Sequence, residues 1–184
     1  MRVLRFPKGF LMSQDKPVLH LMCGKVASGK STLTARLGEQ PNTVVIAEDE
    51  WLSGLYGDQM VSISDFVRCS AKLEAVIGPH IVALLRAGVS VVLDFHANTV
   101  ERRRWMRSIV KATNAEHRLH YLDVPDEVCK ARLRARNAMG EHPFTASDEQ
   151  FEQLSRHFVV PSPEEGLDVV VHRFDGEWSP IEAD

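Results

Sequence analysis

"GKVASGKS", Gly24 to Ser31, stands between the apolar run "VLHLMC" (18–23) and the helix-forming "TLTARL" (32–37). The spacing is G-x-x-x-x-G-K-[ST]. Its physical demand is that successive backbone N–H groups point inward around a polyphosphate, while side chains at the two glycine positions would stand in the way. The start of a helix adds a partial positive charge. The expected cradle is Gly24, Lys25, Val26, Ala27, Ser28, Gly29, Lys30 and Ser31, with Thr32 next in the helix. Lys30 would reach the β and γ phosphates, and the Ser31 hydroxyl would ligate Mg²⁺. At average residue frequencies such a match arises by chance in about one chain in a hundred. The buried-strand pattern before the motif and the helix pattern after it are the context the mechanism requires.

Outward from the cradle, short apolar runs recur at "TVVIA" (43–47), "VSVVLDF" (89–95), "HRLHYLDV" (117–124) and "LDVVVH" (167–172). Each reads as a strand buried on both faces. Helical periodicity fills the intervals. Residues 30–40 end at Pro41, and residues 64–88 place Phe66, Cys69, Leu73, Val76, Ile77, Ile81 and Leu84 on one face. Pro79 is expected to kink or split that helix. Asn98, with Glu101 three residues on, reads as a cap; Asp126 heads a helix with a cationic tail; Ser147 and Gln150 have capping-box spacing. Strand and helix alternation of this kind predicts an α/β fold with a parallel sheet covered on both faces and its site at the carboxyl ends of the strands. Residues 18–184 are expected to form a single domain behind an N-terminal appendage, 1–17.

Composition narrows the partners. The 22 basic and 25 acidic residues give a formal charge of −3, so the overall field offers a nucleic-acid backbone or an anionic membrane no bulk attraction. Cys23, Cys69 and Cys129 are odd in number, widely spaced and set in apolar stretches, which predicts reduced, buried thiols. No segment approaches the ~20 apolar residues of a membrane span, and the N-terminus has no signal-peptide run. A cytoplasmic protein is expected. The eight histidines show no metal-binding spacing, and His117 and His120 should face opposite sides of their strand.

Three further places carry chemistry. Asp94 ends a β-branched run beside the cradle, where a carboxylate holds a water on Mg²⁺ opposite Ser31; capping of the strand or its loop is the alternative. Phe95 follows it in place of the second carboxylate that hydrolytic motors use, and no N-K-x-D stretch selects guanine. Glu48, Asp49 and Glu50 follow the second strand; Glu48 and Glu50 are expected in a solvated loop, whereas Asp49 is placed to accept the proton of an alcohol acceptor. Arg132 and Arg136 share a helix face and point away from Arg134, so two guanidinium groups could close over the phosphates. Alternatively they only complement their helix dipole. Gly140 and Pro143 predict a short lid.

"GKVASGKS", "IAEDEW", "VVLDFHANTVERRRW", "DVPDEVCKARLRARN" and "FVVPSPEEGLDVVV" together resemble the P-loop kinase family of zeta toxins, chloramphenicol phosphotransferase and phage polynucleotide kinase. The resemblance runs from about Val18 to Val171. It implies a three-layer P-loop NTPase fold with strand order 2-3-1-4-5, ATP and Mg²⁺ as cofactors, Asp49 as general base, and Arg132 and Arg136 on the transferring phosphate. It also implies that the region 161–166 helps hold adenine. Several relatives carry a basic residue where this chain has Leu52, which argues against a phosphorylated acceptor or nucleic acid there. Trp51, Phe95, His96, Trp105 and Phe144 are candidates for an apolar acceptor pocket, with core packing as the alternative for each. The expected function is transfer of the γ phosphate to a hydroxyl of a small molecule. A polynucleotide or nucleotide-sugar kinase, and an ATP-binding sensor without transfer, stay open as alternatives.

Overall fold

The computed structural model describes residues 16–113, 115–139 and 146–174. Five parallel strands form one sheet: β1 (Val18–Cys23), β2 (Thr43–Ala47), β3 (Ser90–His96), β4 (Glu116–Asp123) and β5 (Val169–Arg173), in the spatial order β2-β3-β1-β4-β5. Each crossover is long enough for the covering elements: α1 (Lys30–Gly38), α2 (Glu48–Tyr56), α3 (Ile63–Arg86), α4 (Val100–Thr113), α5 (Asp126–Met139) and α6 (Asp148–Ser155). Strand alternation divides the core into two layers. Leu19, Leu21 and Cys23 of β1 face Leu73, Ile77, Ile81 and Met106 of α3 and α4. Met22 faces the other way, toward Leu33, Leu37, Cys129, Leu133 and Phe151 of α1, α5 and α6. All three cysteines are buried and free. Each fully buried apolar side chain contributes about 1.5–3 kcal/mol, so the two layers together hold the sheet.

Two helix expectations change. α3 is not split at Pro79 but runs from Ile63 to Arg86, because Leu73, Ile77, Ile81 and Leu85 on both sides of it bury one continuous stripe against the sheet. That burial outweighs one missing helix hydrogen bond. α4 is opened by Thr99, whose Oγ1 accepts from the Arg102 amide at 3.3 Å, and not by Asn98. The Ser147–Gln150 capping box of α6 forms as the spacing requires.

β3 carries the feature that places the site. On its β1 side Leu93 pairs with Leu21 but the next pair is His96 with Met22, so Asp94 and Phe95 bulge out of register. On its β2 side Asp94 still pairs with Ala47, the residue immediately before α2. A bulge bends the strand and re-aims its side chains, here at the carboxyl edge of the sheet.

Candidate functional site

The loop from Gly24 to Gly29 turns β1 into α1. Gly24 has no room for a side chain: a Cβ there would meet Ser28 Oγ at 2.6 Å and Leu122 Cβ at 3.2 Å. Gly29, at φ 105°, opens α1 in the left-handed region. Lys30 is buried, and its Nζ donates to the carbonyls of Gly24 and Lys25 at 2.8 Å each. Burial pushes its ammonium down to about 8, against the opposing pull of Asp94. Lys25 turns outward, ion-paired to Asp126 at the start of α5 and 5.9 Å above the Phe158 ring.

A cavity of about 770 Å³ lies over this loop. The cradle residues Val26, Ala27, Gly29, Lys30, Ser31 and Thr32 form its floor. Asp49, Phe66 and His96 line one side, Arg132 and Arg136 the other. Arg132 donates from Nη1 to the Ser28 carbonyl at 3.3 Å and lies 5.2 Å above the Phe174 ring. Arg136 Nε is buried with no hydrogen-bond partner among the described residues, and so is Ser28 Oγ. Arg134 points away and pairs with Asp148 on α6. Asp94 stands within the electrostatic reach of Lys30, Asp49 and His96, and its burial raises the carboxyl above its usual value.

Hard oxygen donors at this place suit Mg²⁺, which keeps several waters and takes one or two protein oxygens plus phosphate. Ser31 and Asp94 are such donors. Among the described residues no group of three His, Cys, Asp or Glu side chains forms a protein-only metal site.

A family model described as an AAA domain matches residues 19–161. The chain belongs to the AAA domain family. No curated protein matches it in sequence. Among solved structures it is similar to a candidate kinase from Chloroflexus aurantiacus, at 19% identity and TM-score 0.66, over 88% of this chain and 87% of that one. It is also similar to the APS kinase of Mycobacterium tuberculosis in complex with AMPPNP and APS, at 20% identity and TM-score 0.57, over 88% and 91%. A third match is the PezAT chromosomal toxin-antitoxin system of Streptococcus pneumoniae, at 16% identity and TM-score 0.59, over 87% and 70%. The fold of this AAA domain is therefore that of the P-loop kinases, with the strand order expected from the resemblance.

Several residues of the AAA domain sit where the sequence did not suggest. Glu48 is fully buried at the first turn of α2, not in a solvated loop; Glu50 is exposed. Arg102 of α4 holds both Glu48 carboxylate oxygens through Nη2 and Glu74 of α3 through Nη1. His96 Nδ1 adds a contact to Glu48 at 3.6 Å. These partners hold the Glu48 carboxyl below its ordinary value despite its burial. Phe95 and Trp105 stack on each other, ring centroids 5.7 Å apart, with Phe95 wholly in the core. Of the five aromatic candidates only His96 lines the cavity among the described residues; Phe144, Gly140 and Pro143 lie outside them. Phe66 supplies the aromatic wall instead. Residues 161–166 run down α4, anchored by the Arg103–Glu165 pair, and do not line the cradle cavity. No spacing could have exposed the Glu48–Arg102–Glu74 cluster, since its members are separated by 26 to 54 positions along the chain and meet only through packing of α2, α3 and α4.

Proposed function

We propose that the protein transfers the γ phosphate of ATP to a hydroxyl of a small-molecule acceptor, with Mg²⁺ as cofactor. The observation that carries this reading is the shared cavity. The Gly24–Ser31 loop, two guanidinium groups and a carboxylate on a separate helix converge on it, and its volume of about 770 Å³ is of the size of small-molecule sites.

Asp49 accepts the acceptor's hydroxyl proton as the new oxygen–phosphorus bond forms and the bond to the β-phosphate oxygen breaks; that oxygen departs with the electron pair in ADP. Lys30 neutralises β and γ oxygens, and Arg132 and Arg136 spread positive charge over the transferring group. The unpartnered, buried Arg136 Nε supports an anion at this place. Ser31 and Asp94 would hold Mg²⁺, Asp94 through water. The bound ion supplies charge neutralisation to the β and γ phosphates. Leu52 is only 1% exposed, packs in the core and does not line the cavity, so this position presents no group to an acceptor.

The test is transfer from γ-labelled ATP to a panel of hydroxyl-bearing metabolites and antibiotics, with wild type and Asp49→Asn. Loss of transfer by about 10²-fold or more, with AMPPNP affinity unchanged, is expected. An Asp49→Asn protein as active as wild type on a productive acceptor removes Asp49 as the base. Tight AMPPNP binding without transfer to any acceptor favours a nucleotide sensor.

A further inference from the structure

α4 contains four arginines, and the two described so far are occupied. Arg102 serves Glu48 and Glu74; Arg103 is fully buried, donating to Glu165 and to the carbonyls of Ala97 and Val159. Arg104 and Arg107 are one turn apart, so they share a side of the helix. Among the described residues neither makes an ion pair. Both line a second cavity, about 410 Å³, between α4 and the segment 159–165. It is separate from the cradle cavity, with no lining residue in common.

The walls of this cavity are fixed. Val159 donates its amide to the Asn98 carbonyl at 2.9 Å and accepts from Arg103, while Ser162 and Glu165 close a reciprocal capping box. Gly166, at φ 62°, lets the Arg107 guanidinium lie against the backbone; a Cβ there would stand 2.5 Å from Arg107 Nη2. Val159 and Val160 are 45% and 56% exposed, an unusual place for two adjacent valines, and they line the cavity across from α4, whose Val100 adds a third apolar side chain. The carboxylates facing the cavity are Glu165, neutralised by Arg103, and Glu164, which is exposed.

We propose that this cavity is a second ligand site, for a small organic phosphate whose apolar body rests on the valines and whose dianionic head is held by Arg104 and Arg107. Two guanidinium forks match the several oxygens of a phosphate and its double charge better than they match a single carboxylate. A preformed cavity of this size, apolar on one side with a few convergent polar groups, is the usual form of a small-molecule site.

Phenyl phosphate is the probe, titrated calorimetrically into the full chain with and without saturating AMPPNP and Mg²⁺. Phenol, benzoate and inorganic phosphate serve as comparisons. Binding that persists with AMPPNP present, shifts the amide resonances of Val159 and Val160, and falls by about tenfold or more in Arg104→Gln/Arg107→Gln is expected. The single variants, each judged folded by its thermal transition, should lose part of that. Competition by AMPPNP, undiminished affinity in the folded double variant, equal binding of benzoate, or no binding at millimolar probe would each overturn the site. None of these results depends on phosphoryl transfer, so they stand apart from the Asp49 test.

Discussion

Asn98 grips the first glycine of the cradle by both ends of its amide: Oδ1 accepts from the Gly24 amide at 2.9 Å, and Nδ2 donates to the Gly24 carbonyl at 3.0 Å. The same carbonyl accepts from Lys30, so the loop's entry is held by its own lysine and by an asparagine two residues past the end of β3. Substitution to Ala leaves the Gly24 amide without its partner, at about 1–3 kcal/mol. Asn98→Ala should weaken AMPPNP binding by about tenfold, and Asn98→Asp, which keeps the acceptor and loses the donor, by an intermediate amount. Fluorescence titration of a labelled nucleotide measures both.

The Glu48–Arg102 pair predicts a stability effect. Removing one partner of a buried ion pair strands the other charge and costs about 3–5 kcal/mol. Arg102→Gln should therefore lower the melting temperature by on the order of 10 °C. The double variant Glu48→Gln/Arg102→Gln should recover part of the loss, because the fully buried charge is gone and only the partly exposed Glu74 is left without its partner. A double variant no more stable than Arg102→Gln would show that packing, not charge, dominates.

Lys30 predicts a pH dependence of binding. Burial holds its folded value down at about 8, and an incoming polyphosphate favours the charged form. Above pH 8 the free protein must take up a proton to bind nucleotide, so affinity should fall as pH rises. Titration at pH 8.5 in buffers of different ionisation heat should reveal uptake of a fraction of a proton. Lys30→Met should abolish it.

Three histidines on adjacent strands predict acid lability. His20 Nδ1 and His120 Nε2 are 3.0 Å apart, and His120 Nδ1 and His172 Nε2 are 2.9 Å apart, a ladder across β1, β4 and β5. Burial lowers His20 to about 4 and His120 to about 3, each further pushed down by Arg118, and lowers His172 as well. The folded state keeps these rings neutral, whereas the unfolded chain protonates them near 6.5. Their contribution is thus fully present above pH 6.5 and is lost as pH falls from there toward the folded values. Each neutral ring removes about 1.4 kcal/mol per pH unit in that window. Urea unfolding between pH 7.5 and 5 should show this slope, and His120→Leu should reduce it by about one proton.

The turn from β1 into α1 and the sheet that carries it were legible along the chain, because both rest on local rules. Two glycines, a lysine and a serine at fixed spacing define a loop whose geometry is set by its own backbone, and apolar runs of five to eight residues define strands wherever they fall. The shared face of Arg132 and Arg136 is likewise helix geometry, since the two stand about one turn apart in one element. What only the tertiary structure decided was which distant groups neutralise one another. Glu48 and Asp49 are neighbours of identical charge, yet one is sealed against Arg102 and the other faces the cavity, because α2 begins at once after β2 and turns them about 100° apart. Asn98 carried a helix-cap signal, but the bulge in β3 brought its amide to Gly24 instead. The histidines met only when the register of the sheet set them on one diagonal, His20 opposite Arg118 and His120 opposite Val170, each histidine two residues along from the last. Local sequence determines conformation over a few residues; burial and charge pairing depend on residues tens of positions away, whose approach is fixed by the packing of the whole sheet.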